Sequence, residues 1–108
     1  MPVHNKLVRD RIPEIIGNTG KRFSTKILDN HEYIIELRNK TREELDEYLY
    51  AKNDADAIEE LADLLEIIYA LAECHGVSFS ELEEVRQRKA EKRGGFMEKI
   101  FLIDVEDE

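Results

Sequence analysis

Four carboxylates, Glu44, Glu47, Glu60 and Asp63, carry the chemistry most clearly written in this chain, as two pairs each spaced i, i+3. Residues three apart on a helix share a face, so each pair offers its oxygens in one direction. Placed at 100° per residue, Glu60 falls on the same stripe as Leu64, Ile67 and Leu71, and Asp63 borders that arc one turn along. A carboxylate in an apolar arc costs several kcal/mol, roughly, unless a cation, a proton or trapped water compensates it. Glu44 flanks the stripe of Leu37, Thr41 and Tyr48, with Glu47 one turn further on. Hard oxygen donors that repel one another suit Mg²⁺, or Mn²⁺ in its place, held between them.

Other acids read differently. Glu59, Glu66 and Glu73 recur every seven residues on a polar stripe, the ordinary solvated side of a helix, and Glu43 and Asp46 also turn toward solvent. A single such acid pair is more often surface than ligand. Two pairs on consecutive helices, one of them in an apolar arc, favour a metal site.

The elements that must position these acids follow from periodicity. Asp29 with Glu32 forms a cap-like start, and Ile34, Leu37, Thr41, Leu45, Tyr48 and Leu49 recur at helical spacing, predicting a helix from about Asn30 to Lys52. After the polar break at 53–56, Ile58, Leu61, Leu65, Ile68 and Ala72 mark a second long helix ending near His75, with Gly76 as its terminator. So short a connection makes the two helices antiparallel neighbours, which brings the acid pairs within reach of each other. A short helix with Pro13 in its first turn precedes them and stops at Gly17. A further helix follows, with Ser80 and Glu83 as its capping signature and Gly94-Gly95 as its end. Residues 22–28 and 97–103 allow short extended segments, as a strand or a connection. The expectation is one all-α domain over residues 1–108, an antiparallel helical bundle.

Composition narrows the function classes. The chain has 108 residues, 16 Lys plus Arg against 25 Asp plus Glu, and a net charge of −9, which argues against a nucleic-acid polymer as partner. The acids concentrate in the middle, while the flanks carry Lys6, Arg9 and Arg11 at one end and Lys92 and Arg93 at the other, candidates for contacting phosphate. Surface charge, or pairing with the acidic block, is the competing reading of these cations. One cysteine, Cys74, and an opening without an apolar leader point to a reducing cytoplasm. Glu59, Glu60, Asp63 and Glu66 interrupt the most apolar region, so no membrane span is expected. The apolar arc from Ile58 to Ala72 is wider than one hairpin covers, which predicts a homodimer or higher assembly.

Glu44-Leu-Asp-Glu47 and Glu60-Leu-Ala-Asp63, separated by twelve residues and set within the fuller strings Glu43-Glu44-Leu-Asp-Glu47 and Glu59-Glu60-Leu-Ala-Asp63, give the chain a resemblance. It resembles the all-α nucleoside triphosphate pyrophosphohydrolase superfamily, meaning the MazG-like proteins and the related phosphoribosyl-ATP pyrophosphohydrolases. The opening NKLVRDRIPEII and the later RKAEKRGGF are similar to a small MazG-like subgroup over nearly the whole length. The resemblance implies a helical fold in which Glu44, Glu47, Glu60 and Asp63 bind Mg²⁺, usually in dimers or higher assemblies. It also implies hydrolysis of a nucleotide's α,β-phosphoanhydride to a monophosphate and pyrophosphate. Phosphoribosyl-ATP of histidine biosynthesis is the alternative substrate, although the arginine-rich, Ser-Gly-containing signature of those enzymes is not seen. A non-catalytic helical interaction or regulatory domain is the reading from another class.

Overall fold

A computed structural model describes residues 2–107, and among these it contains four helices and no strand. The order is α1 (Ile12–Asn18), α2 (Asn30–Leu49), α3 (Asp54–Cys74) and α4 (Phe79–Arg93). Each of the three long helices begins where a short polar side chain captures a free backbone N–H. Asp29 accepts from the amide of Glu32, Asn53 from that of Asp56, and Ser78 from that of Glu81. The amide of Glu32 holds the Asp29 carboxyl below its usual range.

Two boundaries differ from the sequence expectation for the same reason. The reciprocal capping box is formed by Ser78 and Glu81, so Ser80 lies inside the first turn of α4 and Glu83 pairs with Arg86 instead. Asn53 must be extended to cap α3, so α2 closes at Leu49 and leaves Tyr50 to Asn53 as the link. Gly76 adopts φ +76°, the left-handed conformation that lets the chain leave α3 after its His75 cap.

The start of α2 and the end of α3 line one cleft together, with Asn30, Tyr33 and Ile34 opposite Ala70, Glu73 and Cys74, so the pair is antiparallel. Helix α3 also carries α4, fastened where Tyr69 and Phe79 meet edge to face at 4.2 Å. Helix α1 packs against no other helix. Among the described residues the buried apolar side chains are Leu37 of α2, Ile67 of α3 and Ala72 near the end of α3. The inward face of α3 is therefore the stripe of Leu64, Ile67 and Leu71, and Ile58, Leu61, Leu65 and Ile68 lie on its exposed side.

The strand alternative is not realised at 22–28 or 97–103. These stretches have β-forming side chains but no partner strand within the chain, and a strand needs a neighbour to satisfy its ladder. Residues 22–28 run as the connection from α1 to α2. Phe96 to Lys99 makes a turn, closed by the Lys99 amide on the Phe96 carbonyl at 3.1 Å. No helix among the described residues is long and apolar enough to cross a membrane.

Candidate metal centre

Glu44 and Glu47 from α2 and Glu60 from α3 meet across the helix seam, each offering a carboxylate oxygen within 4.8 Å of the others. Helical spacing places the first two on one face, and antiparallel packing brings the third against them. Glu44 is only 7% exposed, in register with buried Leu37 two turns earlier. Its Oε2 and the Oε2 of Glu60 are both buried without a hydrogen-bond partner. Orphaned anionic oxygens of this kind are rare, because each forfeits its hydration for nothing in return.

The electrostatic consequence appears in the protonation equilibria. Burial, then repulsion from Glu47, pushes the Glu44 carboxyl up to about 7. The Glu47 carboxylate beside it, together with burial, raises Glu60 as well. Near neutral pH the cluster is thus poised between keeping a proton and giving it up to a stronger cation. A small divalent ion that prefers oxygen ligands fits such a donor set.

Asp63 stands at the edge of this cluster and is not one of the three converging acids. Its Oδ1 takes a 2.6 Å ion pair from Arg9 Nη2, and Arg9 Nη1 lies 4.0 Å from Glu66. Lys6 reaches Glu43 at 3.4 Å, so the segment before α1 is laid across both acidic helices by its cations. Arg11 instead pairs locally with Glu14 at 3.7 Å and is largely exposed. Lys92 and Arg93 occupy the last turn of α4, and no ion pair among the described residues ties them to the cluster.

One cation near the cluster was not singled out from the sequence. Lys40, with its side chain 20% exposed, places Nζ 3.9 Å from Glu44 Oε1 and 4.0 Å from Glu43 Oε2. Its i, i+4 spacing to Glu44 is the signal that could have found it. At that separation it offsets part of the charge while leaving Glu44 Oε2 unmatched.

The helical pair thus brings three carboxylates together across its seam, and two of them, Glu44 and Glu60, carry an oxygen without a hydrogen-bond partner. The chain belongs to the phosphoribosyl-ATP pyrophosphohydrolase family, whose model matches residues 8–90, a span that includes α1, α2 and α3, the whole acid cluster, and most of α4. Membership supports a nucleotide pyrophosphohydrolase-type activity. Neither the curated proteins nor the solved structures contain a match.

Proposed function

We propose that the chain is a Mg²⁺-dependent pyrophosphohydrolase, with Mn²⁺ as a substitute, that splits the α,β-phosphoanhydride of a nucleoside triphosphate-type substrate into a monophosphate and pyrophosphate. The observation that carries this reading is the buried Glu44 carboxylate, facing Glu47 and Glu60 with one oxygen unmatched. A domain that merely used its acids for solubility or for a basic partner would keep them in water, where they cost nothing.

Glu44, Glu47 and Glu60 would hold the ion, with Asp63 the fourth candidate ligand. The ion's part is to neutralise phosphate charge and acidify a water. The protein's own groups do the rest. Glu44, pushed up to about 7, accepts or releases a proton near neutral pH, and Glu44 and Glu60, which is also raised, are candidates to orient the attacking water. Arg9 and Lys6 lie at the rim of the cluster and supply the cations that a polyphosphate needs beyond the metal. Arg11, Lys92 and Arg93 have weaker support, since their geometry does not link them to the acids.

Phosphoribosyl-ATP is the second substrate reading, favoured by the family whose model matches residues 8–90. A single unpaired thiol, half-buried Cys74, fits a reducing cytoplasmic setting. The deciding experiment is pyrophosphate release from a panel of nucleoside triphosphates and phosphoribosyl-ATP with Mg²⁺. Glu60→Gln should abolish release while the helical circular-dichroism signal persists. Turnover by that variant equal to the parent's would overturn the assignment.

A further inference from the structure

Position along the helix seam sorts the groups around the acid cluster. Lys40 lies four residues before Glu44 on α2 and Tyr48 four residues after it, so the two flank the buried carboxylate by one turn on either side. Because α3 runs antiparallel, Asp63 with its Arg9 partner lies on the Lys40 side of Glu60, and Ala57 lies on the Tyr48 side. Lys40 Nζ is 3.9 Å from Glu44 Oε1, and Arg9 Nη2 is 2.6 Å from Asp63 Oδ1. Lys6 stands level with the cluster, at Glu43. The cations tied to these acids therefore stand beside the cluster or toward the start of α2.

The opposite end of the seam opens into a cleft. Tyr48, Ala51, Lys52, Asp54 and Ala57 line it, and its volume is about 380 Å³, at the small end of ligand sites. Ala51 and Ala57 end at Cβ and leave room. Lys52 and Asp54 put one donor and one acceptor into the lining and cancel in charge. Tyr48 is 36% exposed, whereas Leu37 on the same stripe of α2 is 4% exposed. Among the described residues the aromatic pair is Tyr69 with Phe79, so the Tyr48 ring meets no other ring. An aromatic side chain thus stands uncovered one turn from a buried acid.

We propose that this cleft seats the nucleoside half of the substrate, its base stacked on the Tyr48 ring. The assignment rests on the pyrophosphohydrolase reading and gives the bound nucleotide a direction. A nucleoside triphosphate carries its charge at one end. Its β- and γ-phosphates run toward Lys40 and Arg9, its α,β linkage lies at the acid cluster, and the uncharged nucleoside takes the side where the lining charges cancel. The separation agrees. Tyr48 is one turn, about 5.4 Å, from Glu44, a step that a ribose spans between its 5′-phosphate and its base. Stacking accepts the π-face of any base, so Tyr48 favours nucleotides over bare polyphosphate, and Lys52 and Asp54 are placed to discriminate among bases.

The chain has no tryptophan, so Tyr48→Trp in the full-length protein makes fluorescence a report from this one position. With Mg²⁺ present, it is titrated with the α,β-methylene analogues of ATP, GTP, CTP and UTP, which cannot be split at that linkage, and with tripolyphosphate, which has no base. At least one nucleotide analogue should quench the emission saturably, and tripolyphosphate should not. No quenching by any analogue overturns the proposal, and so does an equal change with tripolyphosphate. Steady-state kinetics give a second, independent readout. Tyr48→Ala should raise KM for the accepted nucleotide about tenfold with a smaller change in kcat, and Tyr48→Phe, which keeps the ring, should restore most of it. An unchanged KM in Tyr48→Ala overturns the proposal, and if Tyr48→Trp does not fold these kinetics decide. Should no nucleotide release pyrophosphate, the catalytic reading fails by itself, and the quenching titration still decides whether a nucleotide occupies the cleft.

Discussion

Arg9 Nη2 lies 2.6 Å from Asp63 Oδ1, across 54 residues of sequence, and this pair holds Asp63 at the border of the acid cluster. Asp63 is 38% exposed and Arg9 54%, so the pair is solvated and readily exchanged for another partner. A guanidinium bound to one ligand candidate competes with a divalent ion for it. The same guanidinium, once released, is a phosphate donor at the rim.

The competition has two opposite readouts. Arg9→Gln should tighten Mn²⁺ binding to the nucleotide-free protein by about two- to fivefold, the worth of one exposed ion pair. It should also raise KM for the nucleotide substrate. Mn²⁺ titration followed by electron paramagnetic resonance checks the first effect, and steady-state kinetics the second. A purely structural Arg9 would give weaker binding in both assays.

Glu44→Gln separates stability from function. The amide removes a buried, unmatched anion, so the metal-free variant should melt about 5 °C higher at pH 8. It should lose most of its Mg²⁺-induced stabilisation and at least about 100-fold in turnover, as expected of a ligand held at a cost in stability. Differential scanning calorimetry with and without Mg²⁺ reads both stability effects.

The pH dependence follows from Glu44 with a definite sign. Its folded pKa is raised from 4.5 to about 7, so its contribution to stability is fully present below about 4.5 and is lost as pH rises through 7. Metal-free protein should therefore lose stability between pH 5 and 8 through this group. Mg²⁺ binding, which needs the deprotonated carboxylate, should strengthen over the same interval. Melting temperatures at pH 5 to 8, with and without 5 mM (roughly physiological to saturating) Mg²⁺, should diverge as pH rises, and Glu44→Gln should reduce the divergence.

Ser78→Ala provides a structural control. It removes the side chain that accepts from the Glu81 amide and opens the capping box of α4. The expected cost is about 1 kcal/mol. Urea denaturation measures it, and Mn²⁺ affinity should not change.

Periodicity alone carried the helical reading a long way. Leu37, Glu44 and Ile67 could be assigned to inward faces because 100° per residue is a local property of any helix, independent of its neighbours. The same reasoning marked Glu60 as an acid in an apolar arc, and its orphaned Oε2 is the structural counterpart. The absence of a strand at 22–28 and the shift of the α4 cap from Ser80 to Ser78 were not legible. Strand formation depends on a distant partner, and two serines two residues apart compete for one helix start.

The sequence by itself determined which helices form and marked Glu60 as an acid in an apolar arc, since both rest on rotation about one helix axis. Only the tertiary structure decided that Glu44, Glu47 and Glu60 converge while Asp63 pairs with Arg9. That pairing depends on the path of the segment before α1 across the hairpin. No local pattern encodes such a path, because an ion pair 54 residues apart forms only after the chain between has been folded around it.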